Sequence, residues 1–113
     1  MSDIEPIPRS RMSAQERGFR SKLAQLAHQG GVLRGTLLSR KRVCGKASCR
    51  CAKGHLHESL YLVIREAGRT RQLCIPKEWE AIVRQWVRGY HQAQELMEEI
   101  SRLHWAKIRQ RQD

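Results

Sequence analysis

Residues 59–75, SLYLVIREAGRTRQLCI, decide the fold of this chain. Polar and apolar side chains alternate through its first half: Leu60, Leu62 and Ile64 face one way, Tyr61, Val63 and Arg65 the other. A period of two marks a half-buried strand. Residues 69–75 form a second strand, with Leu73 and Ile75 on one face. Ala67-Gly68 between them is a connection of the length that antiparallel hairpins prefer, and the glycine supplies the positive φ such turns need. The spacing predicts a β-hairpin, in which Cys74 reads as a small buried hydrophobe.

Beyond Pro76 the period changes. Trp79, Trp86, Ala93 and Ile100 recur every seven residues, and Ile82, Leu96 and Leu103 follow three places later, with Gly89 as the exception. Val83, Tyr90, Met97 and His104 widen the stripe. This predicts a coiled-coil-like helical segment over 77–110, continuous or bent at Gly89, with Trp86, Leu96, Ile100 and Leu103 as candidate interaction residues. On the other side of the hairpin, Ser13-Ala14-Gln15-Glu16 matches a capping box. Phe19, Leu23, Leu26 and Ala27 recur at helical spacing, and Gly30-Gly31 ends the pattern. A helix is predicted over 14–29, within a segment 12–30, after a flexible arm at 1–11 that contains EPIP. Residues 32–43 read as a short strand or extended segment.

The fold class is therefore α+β. It combines an N-terminal helix, a small antiparallel sheet over 32–76 with a zinc-ribbon-like Cys/His loop, and a long amphipathic C-terminal helix. All of it is expected to form a single small domain over 12–113. The first helix is too short to cover the whole C-terminal stripe. Leu96 to Ile108 is expected to pair with a second copy in a homodimer; the alternative is a monomer that folds back at Gly89.

The charge is unevenly placed. Lys and Arg number 22 against 11 acidic residues in 113, a formal net charge of +11. From Arg17 to His57 there is no Asp or Glu, and ten basic residues fall there. Concentrated like charge is self-repulsive, and a polyanionic partner relieves it. Arg34, Arg40, Lys41, Arg42, Lys46, Arg50 and Lys53 are the candidate nucleic-acid-binding residues. Arginine can grip guanine with two hydrogen bonds, and lysine neutralises phosphate. Tyr61 is the one aromatic residue near the patch, so duplex DNA is favoured over single strands and over RNA. No apolar run is long enough to span a bilayer, and MSDIEPIPRS lacks the shape of a secretory signal. The expected compartment is a reducing cytoplasm, where cysteines serve as thiols or metal ligands and disulfides are rare.

Cys44, Cys49, Cys51, His55 and His57 fall within fourteen residues. Thiolates with an imidazole are a ligand set that zinc prefers, and the interleaved cations favour the thiolate form. Zinc, one per chain, is the expected cofactor, held by Cys44, Cys49, Cys51 and His57. His55 is the alternative fourth ligand. Packed thiols, an iron–sulfur cluster that recruits Cys74, and a redox thiol pair are the competing readings. Catalysis is not expected: Glu58 is the lone carboxylate near the cluster, and no glycine-rich phosphate loop is present.

The run CGKASCRCAKGHLHESLY, from Cys44 to Tyr61, resembles the signature of an uncharacterised family of small bacterial proteins and domains. In that family a Cys-Gly-Lys segment leads into Cys-x-Cys, then a Gly, a His and an aromatic strand. The resemblance extends over residues 33–103 and maps the signature onto Cys44, Cys49, Cys51 and His57. Glu58-Ser59 stands where the family has Gly-Pro. The resemblance implies association with mobile elements and a DNA-related or regulatory role. The function expected is that of a zinc-stabilised DNA-binding accessory or regulatory factor. The alternatives are an interaction subunit that docks its long helix on a transposase or other protein, or an RNA-binding component of a ribonucleoprotein.

Overall fold

The computed structural model describes residues 4–42 and 57–112. The elements are α1 (Ala14–Gln29), β1 (Thr36–Arg42), β2 (His57–Glu66), β3 (Arg69–Ile75) and α2 (Glu80–Gln112), with 3₁₀ turns at Arg9–Arg11 and Lys77–Trp79. The strands form one antiparallel sheet in the order β1-β2-β3. The class is thus α+β, with the hairpin and both helices where the sequence pattern puts them. No helix among the described residues is long and apolar enough to cross a membrane. The chain forms two compact units, Leu33–Arg88 and Met1–Val32 with Gly89–Asp113.

In the first unit the even-numbered residues of β2 make the core. Leu60, Leu62 and Ile75 are buried with Val83 and Val87 of α2, and Leu33, Leu37 and Trp86 pack at the margin. Val83 and Val87 lie one turn apart, so a single helix face covers the sheet. Burying each such side chain contributes about 1.5–3 kcal/mol. The Leu33 amide donates to the Trp86 carbonyl at 3.0 Å, fastening the chain ahead of β1 to the helix. Gly35 allows the same closeness, because a Cβ there would run into the Leu62 side chain. At the hairpin both Ala67 (φ 53°) and Gly68 (φ 77°) have positive φ. That pair makes a type I′ turn, so an alanine shares the conformation that the sequence assigned to glycine alone. Holding alanine there costs about 1 kcal/mol.

The second unit is built differently. Ser13 caps α1, its Oγ accepting the Glu16 amide at 3.0 Å. The buried residues here, among those described, are Glu16 and Gly89, while Phe19, Leu23, Leu26, Leu96, Ile100 and Leu103 are half-buried. α2 runs unbroken through Gly89. Of the two expectations for that glycine, continuity holds, and the reason for the residue is space. A Cβ on Gly89 would collide with the Gly31 carbonyl oxygen.

Gly89→Ala is accordingly expected to lower stability by up to about 2 kcal/mol, since an overpacking cost of about 1–3 kcal/mol is set against the ~1 kcal/mol helix preference of alanine. Urea unfolding measures it. A midpoint equal to or above the parent's would show that the backbones do not meet at this point.

Candidate nucleic-acid interface

The register sorts the charges of the sheet. Side chains opposite one another across antiparallel strands share a face. The rows Leu37–Leu62–Leu73 and Ser39–Leu60–Ile75 lie on the side covered by α2. The rows Thr36–Val63–Gln72 and Leu38–Tyr61–Cys74 lie on the other side, with the pairs Arg40–Ser59 and Arg65–Thr70. Both acids of the strands, Glu58 and Glu66, occupy even positions of β2 and so belong to the covered side. The outer face carries arginines and no carboxylate among its described strand positions.

That face is open to solvent: Leu38 is 39% exposed, Cys74 is exposed, and Tyr61 and Val63 are half-buried. Arg40 lies over the Tyr61 ring, its guanidinium carbon 5.3 Å from the centroid. Its Nη1 also donates to Gln72 Oε1 at 3.1 Å. Cation–π attraction and a hydrogen bond together fix the guanidinium above the middle strand. Arg65 marks the far end, donating to the Gly68 carbonyl at 3.3 Å.

The other basic candidates are distributed differently. Arg34 donates to the Arg65 carbonyl at 3.1 Å and pairs with Glu66 at 3.6 Å, so its charge is partly matched within the fold. Lys41 lies opposite Glu58 on the covered side. Glu58 accepts from Ser39 Oγ at 2.6 Å. The neighbours Arg40 and Lys41 are thus divided by the strand period: Arg40 belongs to the outer face and Lys41 does not, while the Arg42 side chain lies outside the described ones. Lys46, Arg50 and Lys53 lie outside the described residues, as do Cys44, Cys49, Cys51 and His55. His57 opens β2 opposite Arg42, so the segment bearing the cysteines leaves and re-enters the sheet at paired strand ends. Among the described residues no three His, Cys, Asp or Glu side chains gather as a metal site.

Of the four interaction-helix candidates, Trp86 packs on the sheet core and meets Trp79 edge-on at 6.2 Å. Leu96 lines an open groove of about 770 Å³ together with Lys22, Leu26 and Arg102. Ile100 and Leu103 are half-buried in the same unit. The apolar side chains that α2 leaves most exposed there are Met97, Trp105 and Ile108, at 52%, 66% and 54%.

Glu16 is fully enclosed, with Arg20 Nε at 2.8 Å, His104 Nε2 at 3.4 Å and Lys107 Nζ at 3.5 Å from its carboxylate. Burial raises its pKa, but the hydrogen bonds from Arg20 and His104 and the charges of Lys107 and Arg20 outweigh burial and hold it below its ordinary value. A capping box announces this residue in the sequence. Its role as the charged centre of a helix pair was not visible, because the partners His104 and Lys107 lie some ninety positions away.

A family model described as a domain of unknown function, DUF6788, matches residues 9–85, more than half of the chain. The chain is also similar to the competence protein F of Haemophilus influenzae, at 48% identity over 56 residues, covering 43% of this chain. That match takes in 22% of the length of the Haemophilus protein. No solved structure matches.

Proposed function

The chain belongs to the DUF6788 family, and on that premise we propose that it is a nucleic-acid-binding protein whose contact surface is the outer face of its sheet. One observation carries this: an exposed face bearing Arg40 and Arg65 around Tyr61, with both strand acids on the opposite side. Phosphate neutralisation supplies the affinity, and the arginines and Gln72 are placed to read base edges. DNA is the favoured polymer. The finer reading is an accessory or regulatory factor of a mobile element, stabilised by zinc on Cys44, Cys49, Cys51 and His57. Its support is the Cys/His signature, together with a sheet that pairs the strand ends from which that segment leaves and re-enters.

The test is recovery of the protein from cells under crosslinking, followed by sequencing of the attached nucleic acid. Enrichment of discrete DNA sites is the expected result. A background no better than that of another basic protein of equal charge would sink the proposal. Metal analysis of the same protein, purified without an affinity tag, should find about one zinc per chain.

A second reading concerns α2. Exposed Met97, Trp105 and Ile108 call for cover, and a second copy of this chain fits by charge. Glu95 and Glu98 precede Arg109 and Arg111, so an antiparallel copy sets acids against bases. Sedimentation at tens of micromolar, a rough figure well above a typical dimer constant, should show dimer. Monomer alone would remove this reading.

A further inference from the structure

We propose that Tyr61 and Arg40 form a stacking site for an unpaired nucleobase, so that the outer face takes single-stranded DNA in preference to duplex. This rests on the nucleic-acid reading and specifies its ligand. The sequence by itself favours duplex, because one tyrosine does not make a platform. The register changes that balance: Tyr61 lies on the middle strand with Leu38 and Cys74 beside it, and Val63 follows two positions along. The centre of the face is apolar and aromatic, with the Arg40 guanidinium lying over the Tyr61 ring and Arg65 at the far end.

A duplex presents phosphates on its outside, and these offer Leu38, Tyr61 and Val63 no apolar or aromatic partner. A single strand can lay its bases on the centre and direct its phosphates to the arginines. Gln72 holds the Arg40 guanidinium over the ring before any ligand arrives. A base set on the outer side of that guanidinium would complete a tyrosine–arginine–base stack without reorganising the side chains. With strands about 4.8 Å apart and a rise of about 3.3 Å per residue, the face measures roughly 10 by 20 Å between Arg40 and Arg65, room for two or three nucleotides.

The experiment is fluorescence anisotropy of the full chain with a labelled oligothymidine and with a duplex of equal length, at near-physiological salt. The single strand is expected to bind about tenfold more tightly. Tyr61→Leu keeps the apolar bulk and removes the ring; it should weaken single-strand binding about tenfold and leave duplex binding unchanged. Tyr61→Phe should bind as the parent does. Because Tyr61 is half-buried, a second measurement avoids dependence on folding: 4-thiothymidine placed in the oligonucleotide should photocrosslink to the outer face of the unmodified protein, at Arg40 or a residue beside it. Duplex bound equally or better, with the crosslink elsewhere, overturns the stacking site and leaves nucleic-acid binding standing. Tighter binding of the matching RNA overturns the choice of polymer. Binding of none of these would instead overturn the broader proposal.

Discussion

Glu16→Ala is expected to destabilise the protein by about 2–3 kcal/mol, a large part of the 5–15 kcal/mol that typically separates folded from unfolded chains. The reason is asymmetric. The carboxylate is fully enclosed, and without it Arg20, His104 and Lys107 face one another with no anion between them. Breaking a wholly buried ion pair costs about 3–5 kcal/mol, but these partners are 38%, 39% and 51% exposed, so water restores part of the loss. Urea unfolding monitored by tryptophan fluorescence measures the change. A cost below about 0.5 kcal/mol, the size of a surface substitution, would show that the cluster is ornamental.

The same residue sets an acid limit. Folding lowers the pKa of Glu16, so its contribution is complete above the ordinary value of 4.5 and disappears as pH falls through the folded value. The parent should therefore lose stability in that acid window, and Glu16→Ala should lose less of it.

The second large effect is on binding. Arg40→Glu with Arg65→Glu is expected to weaken DNA binding roughly 100-fold and to lower the slope of log affinity against log salt by about two. Both side chains are exposed on the outer face, so the fold should survive. Arg34→Gln is the informative control. Its guanidinium already serves Glu66 and the Arg65 carbonyl, so binding should fall less than threefold, on the order of a single exposed phosphate contact. Equal losses from both changes would mean that net charge alone governs binding and that the face has no special role.

The comparison of these arginines shows what the sequence disclosed and what it withheld. Short-range signals read well. The alternation around Leu60 and Leu62, the Ala67-Gly68 turn, the Ser13 cap and the Gly30 stop each depend on neighbours within a few positions. Face and partner did not read, because both depend on register. Arg40, Lys41 and Arg42 look like one cationic block until β1 is set against β2, when the strand period puts Arg40 and Lys41 on opposite faces. Trp86 belongs to a heptad stripe that suggests a docking helix, yet its half of α2 meets a sheet whose position no helical period reveals. Tyr61 and Arg65 were placed on one face by alternation, but the companionship of Arg40 and Gln72 required two inter-strand pairings.

The pairing of β1 with β2 across residues 43–56 also has a consequence for the order in which the molecule assembles. The β2–β3 hairpin closes through two residues, on a time scale of about 1–10 μs. β1 must wait for a much longer closure, opposed by chain entropy that rises with loop length. The surface that joins Arg40 to Tyr61 and Gln72 is therefore the last part of the sheet to be completed, and β1 is the strand expected to exchange its amide protons first in the native state. A shorter connection between β1 and β2 would hasten the arrival of Arg40 beside Tyr61 and Gln72.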